Sequence, residues 1–267
     1  MLVVSSVGDA LSAATDALAA AGCETPRLDA EVLLADALAV DRASLIAEPE
    51  RPVPAAAARL AAERIRRRCA REPVAYILGR RGFRHIELDV DARVLIPRPE
   101  TELLVEVALE LPPGARVHEV GTGSGAVALA LAHERPDLRV SASDASAAAV
   151  EVARANAKRL GLEVELSVAN GLPGGDSDLV LANLPYVRED EWDGLQPEIV
   201  RYEPREALVA GADGLDAIRA LVAEAAGRRL ALEHAPGQAE AVRSLLAGAE
   251  TRLDLAGRER VTVGQVP

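Results

Sequence analysis

The most restrictive feature of the sequence is an alternation of short apolar runs with helical patterns that begins at Arg116. Four runs of strand length, RVHEV, RVSAS, VELSV and DLVLA, are joined in part by helical patterns at 124–134 and 146–160. Such alternation is typical of βαβ units and predicts a mostly parallel sheet with helices on both faces. A later run, LALEH, precedes a helical pattern at 239–246, and the closing runs TRLDLAG and RVTVGQV predict an antiparallel pair.

The first part of the chain has helical periodicity interrupted by proline. Helices are predicted from Ser5 to a stop at Gly22, over RLDAEVLLADAL after Pro26, and over AAAARLAAERIRRRCARE. These helices predict a small N-terminal domain at 1–72. In the linker at 73–98, alternating apolar residues at 86, 88 and 90 resume at 94 and 96 and predict a β-hairpin. The segment 99–267 is then the α/β domain.

Composition and charge restrict the possible partners. The 267 residues are 49% hydrophobic, which suffices for a large core, and the formal net charge is -12. Proteins that bind a nucleic-acid backbone usually present a basic face, so direct nucleic-acid binding is disfavoured. The one basic run, at 64–72, is interpreted as the solvated face of a helix.

The cysteines and the N-terminus indicate the compartment. Cys23 and Cys69 are the only cysteines and lack metal-ligand spacing, so we predict no metal site and a reducing cytoplasm. The start, MLVVSSVGDALS, has no basic segment, and Asp9 interrupts its apolar run. Neither a signal peptide nor a membrane span is therefore expected.

A glycine-rich loop joins the first strand of the α/β region to its helix. Gly121, Gly123 and Gly125 allow a ligand to approach the backbone where a helix N-terminus offers free N–H groups. Asp144 ends the next strand about twenty residues later, where a carboxylate can bind ribose hydroxyls. A tight turn without a ligand, and a helix N-cap at Asp144, are the structural alternatives, but Ser146 can provide that cap instead, which favours ribose binding by Asp144. Both NAD and S-adenosylmethionine fit this pattern.

The stretch Asn-Leu-Pro-Tyr follows the strand DLVLA and favours methyl transfer. Asn183 is a poor acid or base, but its side-chain carbonyl and the backbone carbonyl of Leu184 can accept the two N–H bonds of a planar NH2 group. Pro185 stiffens the backbone, and Tyr186 offers a flat face. Holding the weakly nucleophilic nitrogen in this way is catalysis by positioning. A simple strand-ending turn is the alternative.

Several longer segments resemble the bacterial protein-(glutamine-N5) methyltransferases that modify peptide chain release factors. They are REPVAYILG, VLIPRPETELLVE, GTGSGAVALALA, NLPY, YEPREAL, LEH and DLAGRERV. The resemblance implies a Rossmann-like S-adenosylmethionine-dependent sheet, a helical domain that helps to hold the release factor, and methylation of the glutamine in its Gly-Gly-Gln loop. It implies catalytic roles for Asn183, Leu184, Pro185 and Tyr186, and cofactor contacts at Gly121, Thr122, Gly123, Ser124, Gly125, Asp144, Gly171 and Asn183. Arg98 and Glu100 either line the site or belong to a rigid connector.

Three positions depart from the family pattern. Leu184 replaces the usual proline, Asn170 replaces an acidic residue, and Ala235 replaces a glycine, which is expected to alter the sheet edge near Glu233. Asn-Leu-Pro-Tyr also occurs in rRNA adenine dimethylases, so an enzyme acting on rRNA is one alternative. A non-catalytic relative that binds release factors is another.

Overall fold

The computed structural model describes residues 6–267, which divide into two units. The first consists of 6–79 together with 196–202, and the second of 80–195 with 203–267. The expectations about a signal sequence and about a helix starting at Ser5 fall on 1–5, outside the described residues. None of the helices within 6–267 is long and apolar enough to cross a membrane.

The described residues form helices of 5 to 15 residues and strands of 4 to 7. The helices are α1 Val7–Ala20, α2 Pro26–Leu38, α3 Arg42–Ala47, α4 Ala55–Cys69, α5 Val74–Leu78, α6 Glu102–Leu109, α7 Ala126–Glu134, α8 Ala147–Leu160, α9 Pro197–Tyr202, α10 Asp216–Glu224 and α11 Ala239–Ser244. The strands are β1 Arg80–Phe83, β2 Ile86–Asp89, β3 Arg116–Val120, β4 Arg139–Asp144, β5 Glu165–Val168, β6 Leu179–Ala182, β7 Arg229–Glu233, β8 Ala247–Leu253 and β9 Glu259–Gln265. Short 3-10 helices lie at Pro99–Thr101, Glu189–Gly194, Arg205–Ala207 and Pro236–Gln238.

The first unit is helical and contains α1 to α5 and α9. Helix α1 starts with a capping box, in which Ser6 and Asp9 each bind the other's backbone N–H. Leucines from α1, α2 and α3, including Leu11, Leu18 and Leu34, form its core. The short helices α3, α5 and α9 were not predicted, because six residues or fewer carry too little periodicity to be recognised.

A buried ionic cluster lies inside this unit. The Arg68 guanidinium lies 2.7 Å from a carboxylate oxygen of Asp29 and 2.7 Å from one of Glu198, and Arg71 binds the other Glu198 oxygen at 2.7 Å. Hydrogen bonds from Arg71 and Arg68 lower the pKa of Glu198 to about 2, against the effect of burial. The interpretation of the basic run as a solvated face is thus wrong for Arg68, whose charge is buried among carboxylates.

The second unit is built on a seven-stranded sheet with the order β5-β4-β3-β6-β7-β9-β8. The first five strands are parallel, and β9 is antiparallel to both β7 and β8. The predicted Rossmann-like sheet and its closing antiparallel pair are confirmed. The strand order reverses at β3, where Val120 pairs with Ser143 on one side and with Ala182 on the other. Ligands of open α/β sheets bind at the carboxyl edge of such a reversal.

The second unit also holds a hairpin, although its strands differ from the predicted ones. Strand β1 pairs with β2 through a turn at 84–85, whereas the prediction paired 86–90 with 94–96. Val94 and Ile96 are buried but do not form a strand, and the Ile96 N–H donates to a carboxylate oxygen of Glu203 at 3.1 Å. The apolar alternation here therefore reflects burial without a partner strand.

Candidate active site

A cavity of about 430 Å³ opens at the carboxyl edge of the sheet, beside the ends of β3, β4 and β6. Its size is within the range of small-molecule sites. The predicted site residues that line it are Gly121, Thr122, Gly123, Ser124, Asp144, Gly171, Asn183, Leu184 and Pro185. Gly125 and Tyr186 are not part of the lining.

The glycine loop holds a left-handed backbone at three positions. Gly121, Gly123 and Gly125 have φ of 78°, 55° and 86°, a region that side chains with a Cβ rarely adopt. A Cβ at Gly125 would lie 2.8 Å from Cδ1 of Leu129, so glycine is required there by the packing of α7. A Cβ at Gly121 would lie 3.2 Å from Cδ2 of Leu184, which covers the start of the loop. Gly125 thus allows the loop to pack against α7, although it does not line the cavity.

Asp144 at the end of β4 fixes the loop from the neighbouring strand. Its Oδ2 accepts the Gly123 N–H at 2.8 Å, and its Oδ1 accepts the Ser146 N–H at 2.9 Å. Ser146, not Asp144, is the N-cap of α8, because its hydroxyl accepts the Ala149 N–H at 3.2 Å. The capping alternative for Asp144 is therefore wrong, and its carboxylate faces the cavity.

A second carboxyl group, Glu119, lies beneath the loop. Its Oε2 accepts the Thr122 hydroxyl at 2.7 Å and the Ala128 N–H at 3.0 Å, which ties the strand, the loop and α7 together. Burial raises the pKa of Glu119 to about 8, and the nearby charge of Asp144 adds to that rise. The Ser124 hydroxyl is buried at the cavity wall without a hydrogen-bond partner among the described residues. Such a group is available to a polar ligand.

Asn183 directly follows β6, the strand between β3 and β7. Its Nδ2 donates to the hydroxyl of Thr101 at 3.0 Å. Thr101 is buried and comes from the segment before α6, so a distant part of the chain holds one end of the amide. The Leu184 side chain packs on the apolar core between the sheet and α10.

Tyr186 is not part of the cavity lining, and its hydroxyl contacts a buried carboxyl group. The hydroxyl donates to Oε1 of Glu233 at 3.2 Å. Burial raises the pKa of Glu233 to about 7, whereas the hydrogen bond from Tyr186 acts to lower it. Glu233 remains paired with Val261 of β9, so the Ala235 departure leaves this sheet edge regular and the expected alteration is wrong.

The segment before α6 is anchored at the cavity by Arg98. Its guanidinium lies 2.5 Å from Oε1 of Glu203, and Arg98 lines the cavity. Glu100 is outside the lining and faces Arg258 and Arg260, at 3.5 and 3.8 Å. Arg98 therefore lines the cavity and Glu100 does not, although the sequence left the same two roles open for both residues.

Asn170 and Gly171 lie at the far end of the cavity, beyond Asp144. Glu224 of α10 lines the same end, and its carboxylate accepts the Leu172 N–H at 2.9 Å. Gly171 has φ of 92°, and a Cβ there would lie 2.2 Å from Oε2 of Glu224, so another residue would be strained and would displace that carboxylate. The structure thus places a carboxylate beside the position where Asn170 lacks one.

Sequence reasoning missed Thr101, Glu119, Glu224 and Glu233 as residues of this region. Glu119 and Glu233 had a usable signal, since each is an acidic residue at or next to the end of an apolar strand, where ligand sites of α/β sheets form. Thr101 and Glu224 had none, because they reach the site through contacts with distant parts of the chain.

The chain matches two family models, the PrmC N-terminal domain over residues 9–79 and the methyltransferase small domain over residues 87–210. It is 46% identical to a release factor glutamine methyltransferase of Pseudomonas aeruginosa, over 90% of this chain and 92% of that protein. A protein of the same name from Cereibacter sphaeroides is 41% identical over 97% of this chain and 98% of its own length. The solved hMettl16 catalytic domain in complex with MAT2A 3'UTR hairpin 1 has a TM-score of 0.53 at 13% identity, covering 76% of this chain and 80% of that one, a likeness of fold alone.

Proposed function

The chain belongs to the release factor glutamine methyltransferase family, and on this basis we propose that it methylates the side-chain amide of a release factor glutamine. It is an S-adenosylmethionine-dependent methyltransferase. The resemblance stated from the sequence is confirmed by these relatives. The observation that best supports a clasp for an amide is the Asn183 side chain at the cavity, held at its nitrogen end by Thr101.

The residues of the cavity fit the cofactor. Asp144 uses one lone pair of each carboxylate oxygen on a backbone N–H, so each oxygen has another for a ribose hydroxyl. The unpartnered Ser124 hydroxyl is suited to a polar part of the cofactor. The glycine loop from Gly121 to Gly125 lets the cofactor approach the backbone. When bound, the cofactor supplies an electrophilic methyl group.

At the far end of the cavity, we propose that Gly171 contacts the cofactor base. Glu224 brings a carboxylate to this end, and a carboxylate can accept hydrogen bonds from an exocyclic amine. Glu224 would then supply the carboxylate that Asn170 lacks, since Asn170 replaces the acidic residue usual in the family.

The catalytic role proposed for Asn183 is positioning. With Nδ2 committed to Thr101, Oδ1 is the end left to accept one N–H of the substrate amide, and the Leu184 carbonyl accepts the other. Two acceptors hold the nitrogen towards the methyl donor and favour its change to tetrahedral geometry as the new N–C bond forms. As the N–C bond forms, the bond between the methyl group and its donor sulfur breaks, and the nitrogen releases one proton to solvent. Pro185 keeps the backbone carbonyl of residue 184 extended.

The flat face expected of the Tyr186 ring stays a prediction, and the hydrogen bonds of this residue add a second role. Its hydroxyl is committed to Glu233, and Gln238 donates to its backbone carbonyl at 2.9 Å, so both ends of the residue are fixed. We propose that Tyr186 anchors the motif. The helical unit is proposed to help hold the release factor, and the cytoplasm, where translation factors act, is the proposed site of the reaction.

The test is an incubation of the protein with labelled S-adenosylmethionine and one of three acceptors. These are a release factor, its variant with alanine in place of the Gly-Gly-Gln glutamine, and rRNA. Label is expected on the first acceptor alone. Label on rRNA, or undiminished label on the variant, would refute the proposed acceptor. Asn183→Ala is expected to lose turnover while binding the cofactor with nearly unchanged affinity.

A further inference from the structure

The hairpin of β8 and β9 ends in a turn at 254–258 that is not part of the cavity lining. Strand β9 is antiparallel to β7, so the turn lies at the carboxyl edge of the sheet, where the cavity opens. Thr262 of β9 is level with Ala182, the last residue of β6, because both pair with Leu232. From Thr262, β9 continues towards the turn as far as Glu259, so the hairpin projects ~10 Å beyond the end of β6.

Asp254 fixes the shape of this turn. Its N–H donates to the Arg258 carbonyl at 2.8 Å, and its Oδ1 accepts the N–H groups of Ala256 and Arg258, both at 2.9 Å. Its Oδ2 accepts the Nε hydrogens of Arg258 at 2.8 Å and of Arg260 at 3.1 Å. The backbone is thus held on both sides of Leu255, which keeps the position of this residue fixed.

The turn presents apolar side chains to solvent. Leu255 is fully exposed, and Leu253 at the end of β8 is 54% exposed. The neighbouring arginines are already paired, Arg252 with Glu110 at 2.9 Å and Arg258 within the turn. A single exposed leucine is common on protein surfaces and indicates nothing by itself. Two leucines on a fixed turn with ion-paired neighbours match the apolar centre and polar rim of a protein interface.

The turn contacts the chain segment that lines the cavity. Arg258 and Arg260 face Glu100 at 3.5 and 3.8 Å. Glu100 lies between Arg98 and Thr101, both of which line the cavity. Across the sheet, β9 is two strands from β6 and β8 is three, so the hairpin lies ~10 to 15 Å from the end of β6. A folded protein that inserts a side chain into the cavity therefore meets this hairpin.

From this arrangement we propose that Leu255, together with Leu253, is a docking surface for the release factor. The release factor would receive Leu255 in an apolar recess beside its Gly-Gly-Gln loop. The position of the turn selects this partner, because the surface is continuous with the edge at which the acceptor glutamine enters. The inference rests on the proposed function, since it assigns a binding surface to the same acceptor.

A contact outside the cavity affects binding and not chemistry. It holds the acceptor equally well before and during methyl transfer, so its loss raises KM and leaves kcat unchanged. Burial of a leucine side chain favours binding by about 10-fold or more. Because Leu255 is fully exposed, its replacement is expected to leave the urea midpoint of unfolding unchanged.

The experiment detects the contact directly and then measures its effect. A photo-crosslinking amino acid is introduced at position 255 or, in a second protein, at position 168, and each protein is irradiated with the release factor. Leu255→Ser and Val168→Ser are then assayed for kcat, for KM on the release factor and for cofactor Kd. Val168 is the matched control, because it is 52% exposed at the same edge of the sheet but ends β5, on the opposite side.

The expected result is a cross-link from position 255 to a segment of the release factor beside its Gly-Gly-Gln loop, and none from position 168. Leu255→Ser is expected to raise KM about 10-fold, with kcat and cofactor Kd unchanged. Val168→Ser is expected to keep the KM of the unaltered protein.

An unchanged KM in Leu255→Ser overturns the inference when the unaltered protein is active on the release factor. A cross-link from position 255 to a second copy of this chain in place of the release factor, equal cross-linking from both positions, or a loss confined to kcat also overturns it. If the unaltered protein transfers no methyl group to the release factor, the proposed function fails and the docking surface fails with it.

Discussion

Replacing Asp144 by alanine tests the ribose-binding role that we propose for the end of β4. The carboxylate offers about four lone pairs, of which the N–H groups of Gly123 and Ser146 use two, at 2.8 and 2.9 Å. The remaining two match the two ribose hydroxyls. A hydrogen bond to a charged group contributes about 1.5 to 3 kcal/mol, so losing two is expected to cost at least ~3 kcal/mol of cofactor binding. This corresponds to a Kd raised by about 100-fold or more.

The assay is calorimetric titration of S-adenosylmethionine into the protein and into Asp144→Ala. Asn183→Ala is the comparison variant, because Asn183 lines the same cavity, and the cofactor contact implied for it is proposed to contribute less than its role in the amide clasp. The comparison variant is expected to keep a Kd close to that of the unaltered protein. Urea unfolding of each protein is measured alongside, since Asp144→Ala also loses two bonds to the loop backbone.

One outcome would refute the reasoning. If Asp144→Ala is folded and binds the cofactor with unchanged affinity, the carboxylate does not bind ribose and serves only to shape the loop. An equal loss of affinity in Asn183→Ala would place the cofactor against the clasp and would contradict the division of the cavity.

Three further predictions concern buried charge and the motif. Burial raises the pKa of Glu119 to about 8, so this carboxyl group is protonated on folding and stability falls as pH rises from about 4.5 to 8; Glu119→Gln should flatten that part of the urea-midpoint profile, and an unchanged slope would contradict this. Glu198→Ala leaves Arg68 and Arg71 without this carboxylate and should cost about 3 kcal/mol at pH 7. Because pairing lowers the pKa of Glu198 to about 2, its contribution is present above about pH 4.5 and is lost towards pH 2, so the difference in urea midpoint should close on acidification; a constant difference would argue against pairing. Leu184→Pro should keep turnover, since only a backbone carbonyl is required of residue 184, and a clear loss of kcat would show that the leucine side chain matters.

The sheet could be predicted from the sequence because its signal is local. Each parallel strand is an apolar run bounded by polar or glycine residues, and the closing antiparallel pair carries β-branched residues. The predicted strands of the hairpin were wrong because the contacts that decide this segment are not local. Val94 and Ile96 are buried at alternate positions as in a strand, but the partner of the Ile96 N–H is Glu203, more than a hundred residues away. Local periodicity reports burial and does not identify the partner.

The candidate site also has one part that could be predicted from the sequence and one part that could not. Most residues that the sequence placed in the cavity follow directly after a strand, so topology alone brings them to one edge. What could not be predicted is how the side chains connect. The bond from the Tyr186 hydroxyl to Glu233 joins residues 47 positions apart, and Thr101 reaches Asn183 from 82 positions earlier. Such connections depend on three-dimensional packing.

The composition of the helical unit has a consequence for synthesis on the ribosome. Residues 196–202 belong to that unit, and Glu198 supplies the carboxylate shared by Arg68 and Arg71. A nascent chain that ends at Gly79 therefore has the first five helices but lacks the acid that neutralises two of its arginines. Translation of 80–195 takes on the order of ten seconds at typical rates. For that interval the helical unit is expected to remain open and incomplete, so its final folding step has to wait until the centre of the catalytic sheet has been made.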